Sequence, residues 1–255
     1  MSEYSIADLN GVRIAFIEEG RGEPVLLLHG FASNAALNWR STGWIDLLVE
    51  AGRAVVAPDL RGHGGSTKFY EPSAYATGAM AADIEALCAR LGITRADVVG
   101  YSMGSRVAGM LALRQPTTVR SLVLGGIGET LIAGNRDAEM IAAALAAEGP
   151  TTAPGPATAP GPATAFRKFA ERAGGDLRAL AACMLGQAEA LDPEVLSSLR
   201  LPVLVASGSL DLIAGPPEPV AGRIPGARAF TIPGRDHMLA VGDRSFKRAV
   251  LEFLA

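Results

Sequence analysis

The stretch Gly100-Tyr101-Ser102-Met103-Gly104 decides the fold of this chain. Asp97-Val98-Val99 leads into it as an apolar strand, and Val107, Met110, Leu111 and Leu113 behind it mark one face of a helix. A G-x-S-x-G pentapeptide between a strand and a helix reads as a nucleophile elbow. The turn is tight enough to force the serine into a strained backbone conformation, and the flanking glycines remove Cβ atoms that would meet the neighbouring strand and helix. The hydroxyl of Ser102 is then held at the carboxyl end of a strand, beside the N–H groups that open a helix. Taken alone, so short a Gly-rich pattern also fits a plain turn carrying a surface serine. The rest of the chain has to separate the two.

Outward from the elbow, short apolar runs alternate with helical patterns, as in a largely parallel sheet covered on both faces. Residues 4–9 and 12–18 alternate polar and apolar around Asn10-Gly11, a hairpin signal that makes the first strands antiparallel. Residues 24–28, 54–57, 98–100, 121–124, 203–206 and 227–232 read as buried strands, for about eight in all. Helices are expected over residues 39–51, 75–91, 105–114 and 244–254. Residues 127–200 break the alternation and read as a helical cap inserted between strands six and seven, with helices over 136–147, 166–173 and 177–191. The core is then residues 1–126 and 201–255. Inside the insertion, residues 149–164 form a Pro/Gly-rich stretch in which Ala-Pro-Gly-Pro-Ala-Thr occurs twice, and this reads as an irregular surface loop.

Composition narrows the function classes. The chain has 255 residues and a formal net charge of −3, with no block of like charges, so nucleic acid and anionic membranes are poor partners. The apolar runs are far too short to span a bilayer and the N-terminus lacks a signal-peptide pattern, so a cytoplasmic protein is expected. Cys88 and Cys183 each fall in a helical pattern and are expected as buried thiols. His29, His63 and His237 show no metal-ligand spacing, and neither metal nor cofactor is expected.

Four features converge on Ser102. His29-Gly30-Phe31 leaves a central strand where a backbone N–H can be aimed into the site, so the N–H groups of Phe31 and Met103 are the expected oxyanion donors. Such a donor is typically worth roughly 3 kcal/mol to a tetrahedral transition state. Asp211 follows the strand at 203–206, and His237 follows the last strand and precedes the final helix. A serine hydroxyl needs a neutral imidazole to take its proton, and the imidazole needs a carboxylate to fix its tautomer. The chain order Ser102, Asp211, His237 is the one that goes with this elbow. Asp236 is a poorer acid, because adjacent side chains on an extended segment diverge. Residues 59–66 read as a structural turn tied by Asp59 and Arg61, with His63 a minor rival base.

Together these residues resemble the α/β-hydrolase fold family over almost the whole chain, nearest its small serine esterases and cofactor-free haloperoxidase-like members. The resemblance implies an α/β architecture: an eight-stranded, mostly parallel sheet, a helical cap between strands six and seven, and a Ser102-His237-Asp211 triad. A serine rather than an aspartate nucleophile sets the chain apart from haloalkane dehalogenases and their related epoxide hydrolases. The expected activity is hydrolysis of a small to medium carboxylic ester through an acyl-enzyme, in a pocket lined by Phe31, Trp39, Met103, Leu131, Leu212 and Met238. Two alternatives stay open. The same triad serves a lactonase or C–C bond hydrolase, whose carboxylate-bearing substrates call for an arginine such as Arg40, Arg106 or Arg136. A non-catalytic ligand-binding protein is the other.

Overall fold

The computed structural model describes residues 4–149, 161–188 and 190–255. Its strands are β1 (Ser5–Leu9), β2 (Val12–Gly20), β3 (Glu23–Leu28), β4 (Arg53–Pro58), β5 (Ala96–Tyr101), β6 (Val119–Gly125), β7 (Val203–Gly208) and β8 (Arg228–Ile232). They form one eight-stranded sheet in the order β1-β2-β4-β3-β5-β6-β7-β8. The β1–β2 and β2–β4 pairs are antiparallel and the remaining pairs parallel. Asn10 and Gly11 both take positive φ, 57° and 88°, which lets a two-residue turn match the twist of β1 and β2.

Alternate residues of the central strands feed two cores. Leu26, Leu28, Val98, Leu122 and Leu124 face α2 (Thr77–Leu91) and α3 (Met103–Arg114). Val25, Leu27, Val99 and Val123 share the other core with Trp39, Trp44 and Phe246, the last two on α1 (Trp44–Glu50) and α11 (Arg244–Leu254). The parallel strands therefore all deliver their carboxyl ends to one edge of the sheet, where α/β folds build their sites.

Between β6 and β7 lie only helices among the described residues: α4 (Thr130–Ala133), α5 (Ala138–Ala146), α6 (Pro162–Arg172), α7 (Leu177–Gly186) and α8 (Pro193–Leu196). Two single-turn helices follow, α9 (Glu218–Ala221) and α10 (His237–Ala240).

The boundaries differ from the sequence expectation in physically interpretable ways. The helix expected from residue 39 starts only at Trp44. Residues 36–40 make a wide helical turn, and Gly43, at φ 73°, breaks the chain before α1. The helix expected over 177–191 stops at Gly186, whose Cβ position would meet the Pro72 carbonyl oxygen at 2.3 Å. Residues 150–160 of the Pro/Gly-rich stretch lie outside the described residues. Its last residues are not loop but the first turn of α6, which opens on Pro162, where a missing N–H costs nothing.

Candidate active site

Ser102 sits at φ 54° and ψ −116° between β5 and α3. This is a strained backbone for a residue with a side chain, and it persists because the surroundings over-determine it. The Ser102 N–H bonds the Gly125 carbonyl of β6 at 2.8 Å, and the Ser105 N–H bonds the Ser102 carbonyl at 2.9 Å. A Cβ on Gly104 would lie 2.0 Å from the Leu28 carbonyl oxygen, and one on Gly100 would lie 2.5 Å from the Gly104 carbonyl oxygen. Both glycines are therefore demanded by space rather than by φ.

The hydroxyl meets its partners. His237 Nε2 lies 2.9 Å from Ser102 Oγ, and His237 Nδ1 lies 2.8 Å from Asp211 Oδ2. The other carboxylate oxygen, Oδ1, accepts from the Ile213 and Ala214 N–H groups at 3.0 and 2.8 Å. A carboxylate so held accepts from Nδ1–H, which leaves Nε2 as the acceptor for the serine proton. His237 and Asp211 are both buried. The Tyr101 hydroxyl donates to the His237 backbone carbonyl at 2.5 Å, so the residue before the serine also holds the histidine loop. Sequence reasoning missed this contact, since nothing in residue type or spacing announces it. Asp236 turns away to cap α10, accepting from the Met238 and Leu239 N–H groups.

The His29-Gly30-Phe31 segment packs against the serine: a Cβ on Gly30 would lie 3.5 Å from Ser102 Cβ. His29 Nδ1–H donates to the Gly30 carbonyl at 2.8 Å, and its Nε2 accepts from the Leu60 N–H at 2.9 Å. Burial lowers its pKa to about 4, so it stays neutral in this bridge. Met103 is the first residue of α3, so its N–H has no acceptor within the helix. Asp59 bonds the Ala35 and Gly65 N–H groups, and Arg61 forms a bidentate pair with Asp83. His63 bonds the Arg61 carbonyl through Nδ1 and packs its ring against His29 and Phe31. The base in contact with Ser102 is His237.

A cavity of about 460 Å³ opens over the serine. Of the residues named for the pocket, Phe31, Met103 and Leu212 stand in its wall, together with Ser102 and His237. Three expected lining residues are elsewhere. Trp39 is fully buried on the far face of the sheet, 5.8 Å from the Trp44 ring. Leu131 points into the core beneath the cavity, and Met238 is half exposed outside the wall. The wall instead recruits Ile127, Ile141, Phe166 and Met184, mostly from helices between β6 and β7. The Phe166 ring stands edge-on to Phe31 at 5.9 Å.

Of the three arginines singled out, Arg106 and Arg136 reach the cavity, whereas Arg40 pairs with Glu19 and Asp46 away from it. Arg106 is buried, donates to the Thr130 carbonyl at 2.6 Å and has its pKa lowered to about 10 by burial. Cys88 and Cys183 are both buried free thiols. Among the described residues, no group of three His, Cys, Asp or Glu side chains stands in metal-binding array, and no helix is long and apolar enough to cross a membrane.

Residues 23–165 match the family model described as alpha/beta hydrolase fold. The chain belongs to the α/β-hydrolase fold family. Among curated proteins of similar sequence, it is 37% identical over 135 residues to the dihydrolipoyllysine-residue acetyltransferase component of the acetoin cleaving system of Cupriavidus necator, covering 51% of this chain and 34% of that protein. It is 37% identical over 132 residues to epoxide hydrolase A of Mycobacterium tuberculosis, covering 46% of this chain and 40% of that protein. The chain thus spans well under half the length of these two relatives. A solved structure, a thermophilic esterase from Thermogutta terrifontis with malate bound, superposes with a TM-score of 0.76 at 26% identity, covering 99% of this chain and 98% of that one.

Proposed function

We propose that the chain is a serine hydrolase that cleaves a small to medium carboxylic ester through an acyl-enzyme. The observation that carries the reading is the unbroken line of hydrogen bonds from Ser102 Oγ through His237 to Asp211, at 2.9 and 2.8 Å, opening on a cavity. In the first half-reaction, Ser102 Oγ attacks the ester carbonyl carbon as its proton passes to His237 Nε2. Asp211 stabilises the imidazolium that forms. The carbonyl oxygen becomes an oxyanion, for which the Phe31 and Met103 N–H groups are the proposed donors, aided by the positive end of α3. Collapse of the intermediate breaks the bond to the alcohol, which leaves with the proton from Nε2. Water then attacks the acyl carbon as its proton passes to Nε2, and collapse of this second intermediate breaks the bond to Ser102 Oγ, which takes the proton back from Nε2 as the acid leaves.

Cavity charge favours a neutral ester over the carboxylate-bearing lactone or C–C substrate. Arg106 and Arg136 line the wall, but so do Glu129 and Asp137, so the ordinary ionised forms sum to zero. A substrate anion would meet as many acids as bases. The matched relatives are named for epoxide hydrolysis and for acetyl transfer. A serine nucleophile suits acyl chemistry, because its ester intermediate is open to attack by water.

The test is stopped-flow hydrolysis of p-nitrophenyl esters. An acyl-enzyme whose hydrolysis limits turnover releases a burst of nitrophenol close to one per active site. Hydrolysis of lactones or vinylogous diketones with inert simple esters would reverse the choice of substrate, and no hydrolysis of any of them would favour a ligand-binding protein.

A further inference from the structure

We propose that Leu212, Ile213, Met238 and Leu239 form an apolar lip at the cavity mouth, along which the hydrocarbon tail of the substrate lies. The enzyme would then favour esters whose tail outreaches the cavity. This rests on the serine-esterase reading above.

Leu210, Leu212, Ile213, Met238 and Leu239 are 61%, 97%, 41%, 50% and 60% exposed. One exposed leucine needs no explanation, but a contiguous apolar patch does. These five side chains lie on two loops that are bonded together. The Leu210 N–H donates to the Arg235 carbonyl at 3.0 Å, the Ser209 N–H to the Ile232 carbonyl at 2.9 Å, and the Gly234 N–H to Ser209 Oγ at 2.8 Å. Asp211 and His237, bonded to each other, stand at the centre of the two loops.

The backbone explains why these side chains point outward, but not why they are apolar. Asp211 turns inward and takes the Ile213 and Ala214 N–H groups, which throws Leu212 out. Asp236 caps α10, which turns His237 inward and leaves Met238 and Leu239 exposed. A polar residue would satisfy either turn equally well.

The cavity identifies the occupant. Leu212 and Ile213 belong to its wall, and a side chain that both lines a cavity and is 97% exposed stands at its mouth. Whatever emerges from the site passes over it. The cavity wall also carries Glu129, Arg136 and Asp137, all exposed, and Glu129 packs beside Gly215 with its N–H on the Pro216 carbonyl. A flat bilayer or a second protein copy covering the whole mouth would have to desolvate those charges. A narrow tail covers only the apolar side chains and leaves those charges in water.

The experiment measures kcat/KM for p-nitrophenyl esters with acyl chains of two to twelve carbons, and for acetate esters with alcohol chains of the same lengths, all below micelle concentrations. The comparison is wild type against Leu212→Ser/Leu239→Ser. Complete burial of a methylene is worth about fourfold, and a lip covers about half of it, so wild type gains about twofold per methylene beyond the cavity in one of the two series. The double variant flattens that slope, and the ratio of ten-carbon to four-carbon rates falls by up to about sixtyfold, the limit reached when all six added methylenes lie on the lip. Both substitutions are on exposed residues, and an unchanged melting temperature certifies the fold. An equal slope in both proteins overturns the lip. So does sedimentation showing a wild-type dimer that the variant dissociates, which would assign the patch to self-association. Ester activity with an unaltered slope refutes the lip alone. Absence of any ester hydrolysis refutes the serine-esterase reading and the lip with it.

Discussion

Tyr101→Phe removes one hydroxyl and leaves the ring in place. In the native protein that hydroxyl donates to the His237 carbonyl at 2.5 Å, and the two rings lie 5.6 Å apart. Burial, followed by the charges of Asp211 and Asp236, pushes the phenol well above its ordinary pKa, so it remains a donor at any working pH. Losing it leaves a buried carbonyl short of a partner, at a cost of about 1–2 kcal/mol, which is several degrees of melting temperature in a chain of this size. The kinetic consequence is separable. His237 Nε2 has to hold its 2.9 Å line to Ser102 Oγ while Nδ1 holds Asp211, and the Tyr101 bond fixes the backbone from which the ring hangs. If the loop gives up about 1.4 kcal/mol of that alignment in the transition state, kcat falls about tenfold. Tyr101 does not line the cavity, so KM should hold. Steady-state kinetics on a short p-nitrophenyl ester, paired with urea unfolding, reads both quantities. A variant that loses stability while kcat stays within twofold of wild type would show that the tyrosine only packs, and the positioning argument would fail.

Asp211→Asn keeps an oxygen for the Ile213 and Ala214 N–H groups but faces an amide N–H₂ toward His237 Nδ1, which favours the wrong tautomer. We expect kcat to fall by about four orders of magnitude with the melting temperature little changed, and activity within tenfold of wild type would contradict the assigned role. Gly104→Ala forces a Cβ to within 2.0 Å of the Leu28 carbonyl oxygen, so it should cost more than about 3 kcal/mol or prevent soluble expression; a wild-type urea midpoint would refute the packing argument. Acid should destabilise the fold through His29 and His63, whose pKa values burial lowers to about 4 and about 3 from 6.5. Below pH 6.5 the unfolded chain binds protons that the folded chain refuses, so stability falls as pH drops toward 4, by up to about 1.4 kcal/mol per pH unit for each histidine. Urea midpoints that do not move between pH 7 and pH 5 would rule this out.

The strained turn at Ser102, the residues that hydrogen-bond in line with it and the order of elements could be read from the sequence because each has a local signature. Gly100 and Gly104 mark the turn, apolar runs mark β3 to β7, and Asp211 and His237 follow strands that all end on one edge. The cavity wall could not be read in the same way. Phe166 reaches Phe31 only because α6 is folded back over the sheet, a tertiary fact with no local pattern. Trp39 stood in an apolar helical pattern near the oxyanion segment, but its bulk is accommodated against Trp44 on the far face. Leu131 and Met238 lie on single-turn helices, α4 and α10, too short for periodicity to say which way a side chain faces. Arg106 was one of three candidate arginines that the sequence could not tell apart, because its bond to Thr130 depends on how the helices between β6 and β7 pack.

The central claim is that Ser102 is a nucleophile activated by His237. Its most direct test is native incubation with a fluorophosphonate, followed by mass spectrometry of the intact chain and its peptides. The account predicts one adduct per chain, on the peptide bearing Ser102, appearing in step with loss of ester hydrolysis and absent from Ser102→Ala. A folded protein that takes no adduct, or that hydrolyses esters with Ser102 replaced, would contradict it.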